Sequence, residues 1–292
     1  VPGGVVAVVL AAAVLHVLWN TLVKLSPDGY LATVLIAGGG AVFCATTVPF
    51  LPPIAGSAWI NVAGSVVAQT IYYPLVAAAY RAGDMGQTYP LMRGTAPLLV
   101  AVVSGPIIGE HLAGTEWIGV ALICCGIWGI GLGGRTRRSD RPAGTVGGRQ
   151  FRIRRATALA LINAVVIATY TLIDGAGARA SGAPATYTAW IFLFTALPMV
   201  AWTVIRRRGE LVATVRSRWW VGAVGGAANV GAYGLVLWAM TKAPVAAVAA
   251  LRETSILFAT ATAILILKEK ADIYRIGAAF VIAAGAIVLR LA

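Results

Sequence analysis

The stretch YPLMRGTAPLL, residues 89–99, sets Arg93 in an otherwise apolar run, and AALRETSILF, residues 249–258, does the same with Arg252. The two arginines stand 159 positions apart, and the same offset lays Thr95 on Thr254, Leu98 on Leu257, Glu110 on Glu269, Ile123 on Ile282 and Gly126 on Gly285. A register shared by so many residue types points to a duplicated chain. A charge within the hydrocarbon costs about 3 kcal/mol on insertion scales, so two cations kept at equivalent places indicate a polar cavity.

Around these stretches the 292 residues are 59% hydrophobic and 11% charged, with apolar runs cut every twenty-odd residues by short polar or Pro/Gly breaks. That is membrane composition. About 20 helical residues cross a hydrocarbon core of roughly 30 Å. The breaks then give ten expected spans, near 4–24, 31–50, 58–80, 86–108, 115–133, 156–175, 185–205, 219–240, 244–266 and 272–290. The expected fold is all-α and integral to the membrane. Residues 1–134 and 156–292 form two five-helix repeats, joined by a basic linker at 135–155. An odd number of crossings per repeat turns the second copy upside down, the inverted-repeat architecture of many carriers, arranged around a central cavity. Loops this short leave no room for a soluble catalytic domain.

The formal charge of +13 does not point to nucleic acid, because the cations sit in connections rather than on a folded basic face. Eighteen of the 23 Lys and Arg residues fall on loops of one side, most in the segments 133–156, 206–220 and 268–275. The positive-inside rule puts those loops in the cytoplasm and both termini outside, with anionic lipid as a secondary contact. The first apolar run lacks a basic leader and carries His16, Trp19, Asn20 and Lys24, so it reads as a retained helix rather than a cleaved signal. Cys44, Cys124 and Cys125 lie in apolar runs without metal-ligand spacing and read as small hydrophobes. No cofactor is expected, and no GxxxxGK[ST] motif offers an ATP site.

The candidate binding residues start with Arg93 and Arg252, each about eight residues into its span and so ~12 Å below opposite surfaces. A carboxylate between two guanidinium groups would gain charge-assisted hydrogen bonds; otherwise each arginine ties helices together or reaches for an interface. Glu253 sits about 100° around the helix from Arg252. It either neutralises a charge on a neighbouring helix or lines the cavity as a proton or ammonium acceptor, and the structural role is favoured because a buried guanidinium needs a counter-charge. In the first span His16, Trp19 and Asn20 share a stripe; Trp19 and Asn20 are candidate ligands, and His16 is a proton-coupling candidate or an interhelical hydrogen bonder. Gln69 and Tyr73 in the third span, Tyr89 in the fourth, and Asn229 and Tyr233 in the eighth complete the candidates. Tyr80, Trp219 and Trp220 read as interfacial, and Asp174, near a membrane end, as solvated. Glu110 and Glu269 read as capping or edge residues. Pro74, Pro90, Pro97 and Pro244 read as bends or hinges.

On these residues the chain resembles the drug/metabolite transporter superfamily, and within it the ten-span EamA-type carriers. The resemblance rests on GEHLAGTEWIGVALICCGIWGI (109–130) and KEKADIYRIGAAFVIAAGAIVL (268–289), each a charged helix end, a short linker and a small-residue helix, with Lys268 where the pattern has glycine. It implies a central cavity lined by helices 1, 3, 4, 6, 8 and 9 and export of amino acids or other metabolites. The expectation is therefore a secondary transporter of the bacterial inner membrane that exports small carboxylate-bearing metabolites, foremost amino acids, by alternating access. Efflux of amphipathic drugs and, in another class, intramembrane catalysis are the alternatives. The expected partners are a small-molecule substrate and membrane lipid, and the chain is expected to act as a monomer.

Overall fold

A computed structural model describes residues 1–83, 85–136, 146–265 and 273–292. Residues 137–145 of the basic linker and the Lys268–Glu269 pair lie outside the described residues. Apolar side chains exclude water, so each backbone polar group must find its partner within its own segment, which leaves helix as the only open structure for these runs. The helices are α1 (Gly3–Lys24), α2 (Gly29–Thr47), α3 (Trp59–Ala82), α4 (Met85–Ile108), α5 (Gly114–Thr136), α6 (Val146–Ser181), α7 (Pro184–Met240), α8 (Val245–Arg252), α9 (Ser255–Leu265) and α10 (Ile273–Leu291). Among the described residues no strand occurs. Eight helical segments are long and apolar enough to cross a membrane, and Gly114–Ile130 of α5 is a shorter apolar helix.

At 57 residues α7 would be about 85 Å long if straight, far more than a hydrocarbon core can hold. Its backbone leaves helical geometry at Arg207 (φ −136°, ψ 35°) and Arg218 (φ −138°, ψ 28°). The polar segment between them carries Glu210 and Arg216 and divides the two apolar runs expected at 185–205 and 219–240. The span expected at 244–266 differs more: helix stops at Arg252 and resumes at Ser255. No proline or glycine marks this break, whereas α4 runs unbroken through Pro90, Pro97 and Pro106. Thr254 Oγ1 donates to the Leu251 carbonyl at 2.7 Å. The Glu253 and Thr254 N–H groups bond three residues back, to Ala250 and Leu251, as in a 3₁₀ turn.

The chain forms two compact units. One comprises 1–6, 68–172 and 243–292, the other 7–67 and 173–242, so each draws on both sequence halves. In the first, α5 and α10 pack with reciprocal contacts. A Cβ added at Gly126 would lie 2.6 Å from Ile282 Cγ1 and 3.0 Å from the Ala278 carbonyl oxygen. One added at Gly285 would lie 2.8 Å from both Ile123 Cγ1 and the Gly119 carbonyl oxygen. The 159-residue offset maps Gly126 to Gly285, Ile123 to Ile282 and Gly119 to Ala278, so each helix does to the other what the other does to it. Gly119 meets Leu289 while Gly126 meets Ile282 and Ala278; numbering falls on one helix as it rises on its neighbour, and the two run antiparallel.

In the second unit α2 lies along α7, glycine against glycine at Gly39–Gly222 and Gly40–Gly226. Asp28 caps α2, accepting from the Leu31 N–H at 3.0 Å. Its carboxylate also takes Arg207 Nη2 at 2.7 Å, and Arg207 in turn holds Glu210. The Leu31 N–H first, and Arg207 second, hold the Asp28 carboxyl below the usual carboxylate range, and Arg207 does the same for Glu210.

Two outcomes follow from this packing. Gly126→Ala and Gly285→Ala should each cost about 1–3 kcal/mol, the usual penalty for forcing a methyl into a packed site. The two costs should be similar because the surroundings are reciprocal; thermal unfolding of the purified protein checks this, and an unchanged midpoint for either would refute the close contact. Asp28→Ala should cost about 1 kcal/mol at neutral pH, as for a typical N-cap. A carboxyl whose folded pKa is depressed stabilises above its unfolded pKa and loses that contribution as pH falls through the folded one. The difference between Asp28→Ala and the parent should therefore shrink below pH ~4.

Candidate functional site

Arg93 and Arg252 both lie in the first unit, each 8% exposed, and Glu253 is 1% exposed. Arg93 projects from α4, Arg252 is the last residue of α8, and Glu253 begins the turn that separates α8 from α9. The Glu253 carboxylate is 2.9 Å from Arg93 Nε and 3.6 Å from Arg252 Nη2. Glu253 thus turns toward the neighbouring helix and serves two guanidinium groups at once. Neither contact is a good hydrogen bond. The Arg93 N–H is not aimed at the oxygen, leaving Arg93 Nε and Nη2, Arg252 Nε and Glu253 Oε2 buried without hydrogen-bond partners, and 3.6 Å is too long for one. Charge holds the cluster together, while Arg93 Nε and Nη2 and Arg252 Nε leave their donors unused.

The cluster is framed by α4. Gly109, at φ +70°, ends that helix in the left-handed conformation that glycine adopts without a Cβ penalty. Its N–H closes on the Gly105 carbonyl at 3.0 Å. The turned chain presents Glu110, whose carboxylate accepts the Val245 N–H at 2.8 and 3.1 Å. This gives the Gly-Glu pair a physical role: it caps the N-terminus of α8, where a negative charge is also favoured by the helix dipole. Helix α4 therefore grips α8 near its start through Glu110 and just past its end through Arg93.

Tyrosines surround Arg93 in this unit. Its guanidinium carbon is 5.9 Å from the Tyr89 ring centroid, within cation–π range, and Tyr72, Tyr80 and Tyr170 lie within its electrostatic reach. Tyr72 meets Tyr170 edge to face at 6.1 Å and Tyr73 at 5.4 Å. Met92, Ala96, Ile167 and Tyr170 form the adjoining core, with Tyr72 and Tyr80 packed on it. Tyr80 is half-buried against that core. Asn163 is fully buried there; its Nδ2 donates to Met92 Sδ at 3.0 Å and its Oδ1 has no partner. Gln69 is half-buried, whereas Tyr73 is 45% exposed.

The remaining candidates lie in the second unit. Asn20 is exposed and returns its amide to the His16 carbonyl at 2.7 Å, so its own helix takes that donor. His16 stacks edge to face on Trp19 at 5.2 Å. Trp19 packs on the Leu35, Ile36 and Val221 core, yet its buried Nε1 has no partner. Asn229 is half-buried. Tyr233 donates to Asp174, which also accepts from Tyr187 at 3.1 Å. The expectation that Asp174 is solvated is corrected: it is 0% exposed. Helix α6 continues to Ser181, two turns beyond it, and Gly177 leaves room for the Tyr187 hydroxyl. Cys44 and Cys124 are buried as expected, but Cys125 is exposed. Trp219 and Trp220 are exposed, at 66% and 45%.

Long apolar helices in this number define a multi-pass membrane protein. Residues 154–291 match the family model described as the EamA-like transporter family, a branch of the drug/metabolite transporter superfamily whose members are transporters rather than enzymes. A solved crystal structure, 18% identical, superposes with a TM-score of 0.74 over 100% of this chain and 98% of its own, and shares the fold. No curated protein sequence matches the chain.

Removing one partner from a buried ion pair typically costs about 3–5 kcal/mol. Glu253→Ala, which strands two guanidinium groups, should fall in that range. A double-mutant cycle with Arg93→Met should return a coupling of more than about 1 kcal/mol; strict additivity in thermal unfolding would show that the two do not interact.

Proposed function

We propose that the chain is a ten-span secondary transporter built of two inverted five-helix repeats, residues 1–134 and 156–292. In this reading it exports small carboxylate-bearing metabolites, amino acids foremost, across the bacterial inner membrane by alternating access. The observation that carries the substrate class is the buried pair Arg93 and Arg252, with guanidinium donors that no protein group satisfies. A carboxylate supplies the acceptors these donors lack, in the bidentate geometry that guanidinium favours. Arg93, Arg252 and Tyr89 would contact the carboxylate, with Glu253 as charge partner. Gln69 and Tyr73 are second-rank ligands, while Trp19, Asn20, Asn229 and Tyr233 belong to the second unit, and His16 is a packing residue. Ten spans are supported by the kinks of α7 and by the antiparallel, reciprocal packing of α5 on α10, and the inward loops by the sidedness of the basic residues. Amphipathic cations would meet an uncompensated positive cluster, so drug efflux is the weaker reading.

Purified protein in liposomes should take up labelled amino acids down a gradient, with flux lost in Arg93→Ala and Arg252→Ala beyond what any loss of folded protein accounts for. Undiminished flux in both variants would remove the pair from the transport path.

A further inference from the structure

Two guanidinium groups are protonated at any physiological pH, and Glu253 cancels one of them. Among the described residues of the first unit the buried charged side chains are Arg93, Arg252 and Glu253, and these three together carry one positive charge within the apolar interior. An unbalanced charge there is costly, and a ligand that removes it gains a contribution that an equally shaped neutral ligand does not. Unused hydrogen-bonding capacity points the same way: Arg93 Nε and Nη2 and Arg252 Nε are all donors. A zwitterionic amino acid brings a carboxylate but no net charge and leaves the excess in place. A dianion overshoots by one.

We infer that the Arg93–Glu253–Arg252 cluster selects its ligand by net charge and prefers monoanionic carboxylates, such as 2-oxo acids or acidic amino acids, over neutral zwitterions and dianions. This rests on the reading of the arginine pair as a carboxylate site and narrows it. Glu253 is the residue that sets the selected charge, since it decides whether one or two positive charges await the ligand.

The test is equilibrium binding to purified full-length protein at pH 7.5, with ligands matched in shape but not in charge. Phenylpyruvate should bind about tenfold or more tightly than phenylalanine, and glutamate than glutamine; each tenfold step corresponds to 1.4 kcal/mol. In Glu253→Gln the preference should move to the dianion 2-oxoglutarate, and in Arg252→Gln toward the zwitterions. Arg252→Lys, which preserves charge, should keep the original ranking at lower affinity. If phenylalanine equals phenylpyruvate and glutamine equals glutamate in the parent protein, charge selection is wrong while the carboxylate site stands. If phenylalaninamide, which has no carboxylate, binds as well as phenylalanine, the carboxylate site itself falls and the inference with it. Should a glutamine variant fail to fold, the parent and Arg252→Lys rankings decide the matter alone.

Discussion

One carboxylate shared between two guanidinium groups is the constraint on which the first unit depends. Glu253 is almost inaccessible and lies within ion-pair distance of both Arg93 and Arg252. In a low-dielectric setting the attraction is large, but so is the cost of stripping water from three ions. The geometry does not spend the attraction on hydrogen bonds. An arrangement meant only for stability would satisfy those donors or replace them with packed hydrocarbon. What remains is a site held in shape by charge and short of acceptors.

The second unit buries a carboxylate by other means. Asp174 accepts from two tyrosine hydroxyls, Tyr187 and Tyr233. Tyrosine hydroxyls donate to a carboxylate without bringing a charge of their own, whereas Glu253 faces two guanidinium groups. Each solution needs local accommodation. At Asp174 it is Gly177, whose missing Cβ admits the Tyr187 hydroxyl. At Glu253 it is the interrupted helix, which frees the residue from the course of α8 and turns it toward α4.

Features set by spacing were legible in the sequence, and features set by distant contacts were not. The 159-residue register anticipated that Gly126, Ile123, Gly285 and Ile282 play matching parts, and they meet in reciprocal pairs between α5 and α10. The position of Glu110 at a helix end anticipated a capping role, though not that the helix it caps would be α8. Pro90 and Pro97 read as bends or hinges, yet α4 runs on through them, while the break after Arg252 falls where the chain has no proline. Proline removes one N–H and neighbours can absorb that loss; the turn after Arg252 comes instead from the Thr254 hydroxyl and the pull of Arg93 on Glu253, a contact between residues 160 apart. Asp174 escaped for a related reason: hydropathy placed it near a membrane end, but only the fold reveals the tyrosines packed around it.

The surplus of positive charge follows from a difference between the two stretches that the 159-residue offset aligns. Arg252 aligns with Arg93, but Glu253 aligns with Gly94. In α4 that position is devoted to packing: a Cβ on Gly94 would come within 2.7 Å of the Trp128 ring, so a glutamate there would have to displace α5. In the later stretch the same position lies at the end of α8, where the helix is interrupted and a longer side chain can turn away. Two carboxylates for the two arginines, or none, would give a net charge of zero or plus two. One glycine held by close packing in α4, and one glutamate allowed by the helix break after α8, leave the three described side chains with a single excess charge.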